Sequence, residues 1–218
     1  MHVLDKIDYE AFRENRKIFV GSSDETALEL ALFEKAEIIT FYSPMVGSTR
    51  NGSKCFDNLF EIIMNPKEKT KLCNIDDCTP FKTYKSGSCT AQVAGGDLSL
   101  IQSLIGTPYE PDYKNKILFF EEINEEAYRI HRMLWQLKLT GRLDKLAGII
   151  IGALTPVEGE TEEKFLNACF DVFKDLEIPI VYNFHAGHIK NPLTLPIGST
   201  LQIENEKINI LHPVVKQK

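Results

Sequence analysis

Hydrophobic and polar positions follow two regimes along the chain. In the second half, residues 117–120, 147–154 and 178–182 are almost purely apolar. Continuous short runs of this kind suit strands buried on both faces. Between them the apolar positions fall at helical spacing. Residues 125–137 carry Ala127, Ile130, Leu134 and Leu137 on one stripe, and residues 160–176 carry Phe165, Cys169, Val172, Phe173 and Leu176. Strands that alternate with helices predict a parallel sheet covered on both sides. Two short strands are predicted after it, at 200–203 and 207–211.

The first half repeats the alternation on a smaller scale. Residues 8–15 read as a short polar helix, 17–20 as a strand closed by Gly21, 24–33 as a helix and 37–41 as a second strand. That order is a βαβ unit. Residues 44–53, rich in Gly, Ser and Asn, read as a loop, and 56–64 as a helix. The polar, cysteine-containing stretch 66–87 gives no clear pattern and is where a domain boundary is expected. The expected organisation is α/β throughout. Residues 1–65 form part of an N-terminal domain, 66–87 a linker, and 88–218 a C-terminal domain.

Composition narrows the function classes. The chain has 218 residues and a net charge of -6, with no Lys/Arg block, which argues against a phosphate-backbone partner. No apolar run is long enough to span a bilayer, and residues 1–10 have no signal core, so a cytoplasmic protein is expected. Five cysteines at irregular spacing do not form a disulfide framework. Asn51-Gly52-Ser53 reads as a turn.

In open α/β sheets, chemistry gathers at the carboxyl ends of strands. Three reactive side chains stand there: Ser23 after 17–20, Glu121 after 117–120, and His188 after 178–182. A nucleophile, an orienting carboxylate and a general base are made of these residue types. Ser23 lies on a strand-to-helix turn, where the backbone N–H of Asp24 is a natural oxyanion donor. Each residue also has a plain structural explanation. Ser22 with Glu25 forms a capping box pattern, which alone accounts for a serine-rich helix start. Glu121 could pair with Arg129 or Arg132, or face the following helix N-terminus. His188 could be a surface histidine, or one of a His185/His188 metal pair completed by Cys73 and Cys78, whose spacing is loose for zinc.

The order of short motifs resembles a known family, the LD-carboxypeptidases and their relatives that inactivate peptide antibiotics. Asp8-Tyr9 and Lys17-Ile18-Phe19-Val20-Gly21-Ser22-Ser23-Asp24-Glu25-Thr26-Ala27-Leu28 resemble the nucleophile segment. Ser43-Pro44-Met45 resembles a loop that usually reads Gly-Pro-Met. Gly95-Gly96-Asp97-Leu98, Gly106-Thr107-Pro108 and Lys116-Ile117-Leu118-Phe119-Phe120-Glu121-Glu122 resemble the start of the C-terminal domain. Gly187-His188 and Leu195-Pro196-Ile197-Gly198 resemble the histidine loop. The resemblance runs over nearly the whole chain.

That resemblance implies Ser23 as nucleophile, His188 as general base and Glu121 as the residue orienting it. It implies hydrolysis of an L–D amide, typically releasing the terminal D-alanine of a murein tetrapeptide, with no metal or cofactor and commonly as a homodimer. The implied fold is a flavodoxin-like N-terminal α/β domain, of which only a remnant is expected here, joined to a smaller C-terminal one. A catalytically inactive remnant and an antibiotic-cleaving relative are the alternative expectations. Asp97 stands where the family has Asn, Glu122 and His131 where it has Asp, Ser22 where it often has an aromatic, and Glu25 where it has an apolar residue.

Overall fold

The computed structural model describes residues 1–45, 53–65, 67–72, 80–204 and 207–215. Residues 51 and 52 of the turn predicted at Asn51-Gly52-Ser53, and the two cysteines of the metal reading, Cys73 and Cys78, lie outside them; Ser53 begins a helix.

The chain begins with α1 (Tyr9–Glu14), β1 (Val20–Gly21), α2 (Thr26–Ala36), β2 (Thr40–Tyr42) and α3 (Ser53–Met64). β3 (Lys69–Lys71), β4 (Lys82–Lys85), β5 (Ser88–Asp97), α4 (Leu98–Leu104), β6 (Ile117–Ile123) and α5 (Ala127–Leu139) follow. It ends with β7 (Gly148–Thr155), α6 (Glu162–Phe173), β8 (Ile180–Tyr182), β9 (Leu195–Ile197), β10 (Thr200–Glu204) and β11 (Lys207–Leu211). The architecture is mixed α/β, as the alternation of patterns predicts.

Eight strands form one sheet in the order β3-β11-β10-β5-β6-β7-β8-β4. Its centre, β5 to β8, is parallel, and both flanks are antiparallel. β5 joins the two regimes. Its first half pairs with β10 and alternates between exposed and half-buried residues; its second half pairs with β6 and is buried throughout. This is the difference between a sheet face open to water and one covered by helices. α5 and α6 supply cover through Ile130, Leu134, Phe165 and Phe173, all fully buried. β3 and β4, which fall within the expected linker, form the two edges of this sheet.

A smaller sheet, β1-β2-β9, carries the first βαβ unit. β1 and β2 are parallel, and β9 adds an antiparallel strand from the far end of the sequence. Pro196 sits in β9, which is the outer strand of this sheet and so tolerates a missing donor. The seam between the sheets is polar: the Asp97 N–H at the end of β5 donates to the Thr26 hydroxyl at the start of α2, 2.9 Å away. No helix among the described residues is long and apolar enough to cross a membrane.

Candidate active site

The carboxyl ends of β1 and β2 and the loop after β8 converge on one pocket of about 150 Å³. Ser23, Tyr42 and His188 line it, with Pro44, Ile189 and Leu193 among its apolar walls. Glu121 stands behind His188, within the second half of β6 and fully buried.

Ser23 adopts a left-handed backbone with φ 58, uncommon for a residue with a Cβ. Conformations of this kind cost about 1–3 kcal/mol and persist where the surroundings enforce them. Here the turn from β1 into a short 3-10 segment, Ser23–Glu25, twists Ser23 so that its N–H donates to the Tyr42 phenol at 3.1 Å. The Ser22 side chain makes no capping hydrogen bond, so the capping box suggested by Ser22 and Glu25 does not form.

Glu121 has no arginine partner among the described residues; Arg129 pairs instead with Glu125 and Glu126. Its two oxygens receive the Tyr42 hydroxyl at 2.5 Å, the His188 backbone N–H at 3.1 Å and the His188 Nδ1 at 2.9 Å. A carboxylate surrounded in this way is acceptor-only, which fixes the proton on His188 Nδ1 and leaves Nε2 as the basic nitrogen. His188 is 17% exposed at its side chain, so the ring is sheltered but reachable from the pocket.

Two local devices hold this pair. Opposite Glu121, β7 carries one more residue than β6 between Phe120↔Ile151 and Glu122↔Leu154. This bulge frees the Ala153 N–H to donate to the Ala186 carbonyl at 2.8 Å, which ties down the histidine loop. Gly187 then passes directly over Glu121. A Cβ at that position would lie 2.5 Å from Oε2, and its φ of 117 is one that residues with side chains rarely adopt.

Two further acids flank the pair. Glu122 turns away and accepts from the Ser99 N–H and hydroxyl at 3.0 and 2.7 Å. Burial raises its carboxyl, with Ser99 pulling it back. Asp97 caps α4 by accepting from the Leu100 N–H at 3.2 Å. Burial, then the charges of Glu122 and Glu121, push its carboxyl up to about 7.

Of the sequence candidates, the structure brings Ser23, His188 and Glu121 to one pocket and its wall. His185 takes a different direction, its Nε2 lying 3.0 Å from the Lys190 carbonyl. Among the described residues, the one cluster with the donor set for a metal is Asp97, Glu121 and His188, with donor atoms within 4.8 Å of one another. In this structure the His188 Nδ1 and both Glu121 oxygens are hydrogen-bonded to each other. Tyr42 is the residue that sequence reasoning missed. It stands at the carboxyl end of β2, so the rule that found the other three could have found it.

Comparison with known proteins gives a family for the chain. The LD-carboxypeptidase C-terminal domain matches residues 90–203 and the LD-carboxypeptidase N-terminal domain matches residues 1–43. A probable murein peptide carboxypeptidase of Bacillus subtilis is 33% identical over 197 residues, covering 88% of this chain and 61% of that protein. The microcin C7 self-immunity protein MccF of Escherichia coli is 28% identical, covering 95% of this chain and 69% of that protein. The crystal structure of muramoyltetrapeptide carboxypeptidase from Oxalobacter formigenes superposes with a TM-score of 0.79 at 28% identity, over 95% of this chain and 72% of that one. The chain thus spans about three fifths of the length of the Bacillus relative.

Proposed function

The chain belongs to the LD-carboxypeptidase family, and from that premise we propose that it is a serine-type LD-carboxypeptidase that releases the terminal D-alanine of murein tetrapeptides. The observation that carries the reading is the Glu121–His188 pair, which shares a pocket with Ser23.

In this reading Ser23 attacks the carbonyl of the L–D amide, and His188 Nε2 takes the hydroxyl proton. Glu121 holds the ring in the required tautomer and stabilises the imidazolium that forms. The Asp24 N–H, next after the nucleophile, donates to the developing oxyanion. His188 then protonates the leaving amine, D-alanine departs, and water resolves the acyl-enzyme by the same steps in reverse. The small, largely apolar pocket suits a compact terminal residue such as alanine.

The similarity to the microcin self-immunity protein supports a second substrate, a peptide-antibiotic conjugate cleaved by the same residues. The test is D-alanine release from murein tetrapeptide by the purified chain, with Ser23→Ala alongside. Release that falls by about 10⁴-fold or more in the variant is expected. Turnover of the conjugate but not the tetrapeptide would move the assignment to the second substrate. Equal release by Ser23→Ala and the unaltered chain would overturn the serine mechanism.

A further inference from the structure

The phenol of Tyr42 touches both halves of the proposed catalytic apparatus. Its oxygen accepts from the Ser23 N–H at 3.1 Å, so its single proton must go to Glu121 Oε1, 2.5 Å away. The ring is only 2% exposed and packs edge-on against Phe119 at 5.4 Å between centroids. Strand pairing of β2 with β1 and β9 fixes the backbone beneath it. The hydroxyl therefore sits on one chain of contacts: Ser23 backbone, Tyr42, Glu121, His188.

We propose that Tyr42 is a positioning residue for the proposed serine hydrolysis, coupling the turn that presents Ser23 to the carboxylate that orients His188. The proposal rests on the functional reading above. Two consequences follow from the geometry. Tyr42 holds the Ser23 N–H, which fixes the turn that carries the nucleophile. Donation to Oε1 also draws negative charge from Glu121 and so tempers how strongly that carboxylate stabilises protonated His188. Burial and the neighbouring Glu121 hold the phenol well above its ordinary range, so it stays a donor across the working pH. The other charged groups facing Glu121 are Asp97, Glu122 and His188 itself.

Tyr42→Phe removes the hydroxyl and keeps the ring against Phe119. Loss of one charge-assisted hydrogen bond is expected to lower kcat about ten- to a hundredfold while KM stays within about twofold. The His188 titration, followed by NMR on chain carrying ¹⁵N-histidine, is expected to move to higher pH in the variant. That second readout needs no substrate. If the unaltered chain releases no D-alanine, the functional reading fails and the titration still decides the role of Tyr42. An unmoved titration in a folded variant, unchanged kcat in an active one, or a rise in KM alone would each overturn the proposal. Should Tyr42→Phe fail to fold, 3-fluorotyrosine at position 42 keeps the packing and makes the hydroxyl a stronger donor. The His188 titration should then move to lower pH, and an unmoved midpoint would overturn the proposal equally.

Discussion

The second half of β6 and the middle of α2 each hold a carboxylate with no solvent exposure, Glu121 and Glu29. On β6, Tyr42 and two groups of His188 meet Glu121. On α2, neither oxygen of Glu29 has a hydrogen-bond partner among the described residues. Burial, then the charge of Glu25, pushes the Glu29 carboxyl well above the usual range, against a weaker pull from the backbone of Gly21. An ionised carboxylate can be kept in the interior only where donors replace water. Burial by itself therefore does not mark a catalytic acid. Its partners do, and here they come from β2 and the loop after β8.

The comparison predicts opposite results for the same substitution. Glu121→Gln places an amide where His188 Nδ1–H must donate, and so favours the wrong tautomer. A loss in kcat of about 10³–10⁴-fold is expected, with the fold retained by circular dichroism. Activity within a few-fold of the unaltered chain would remove Glu121 from the mechanism.

Glu29→Gln is expected to stabilise the protein. A carboxyl raised on folding contributes its full stability below the unfolded value, near 4.3, and loses it as pH rises. Glutamine does not titrate. The Tm of the variant should match the unaltered chain near pH 4 and exceed it by about 5 °C at pH 8. A lower Tm at pH 8 would show that Glu29 is ionised and paired after all.

Asp97→Asn should give a smaller effect of the same sign. Asparagine keeps the cap on α4, since its side-chain oxygen can accept from the Leu100 N–H. The Asp97 carboxyl, pushed up to about 7, loses its contribution to stability between about pH 4 and pH 7. The variant should therefore gain about 1–2 kcal/mol in urea unfolding at pH 8 and almost nothing at pH 4. A gain that is equal at both values would assign the effect to the helix cap instead of the charge.

Much of the fold is legible in the sequence, for reasons that differ by segment. β6 and β7 announce themselves because strands covered on both faces need unbroken apolar runs, which 117–120 and 147–154 supply. α5 and α6 show their stripes for the same reason on one face. β5 stays hidden. Ser-Cys-Thr-Ala-Gln alternates only between small or polar side chains and the Gly95-Gly96 pair has no bulk, and the strand forms because β10 and β6 offer it backbone partners. The strand predicted at 17–20 shrinks to Val20–Gly21, where β2 is available to pair.

The sequence by itself determined the alternation of strands and helices, and it placed a serine, a glutamate and a histidine at strand ends. These follow from local periodicity and from rules about where loops lie. Tertiary structure alone decided which partners those residues have. Glu121 meets His188 across 67 residues and Tyr42 across 79, while neither oxygen of Glu29 has a hydrogen-bond partner among the described residues. The physical reason is one of range. Propensity and amphipathic spacing act over a few residues, whereas the partner of a buried polar group is chosen by how strands pair across the whole chain.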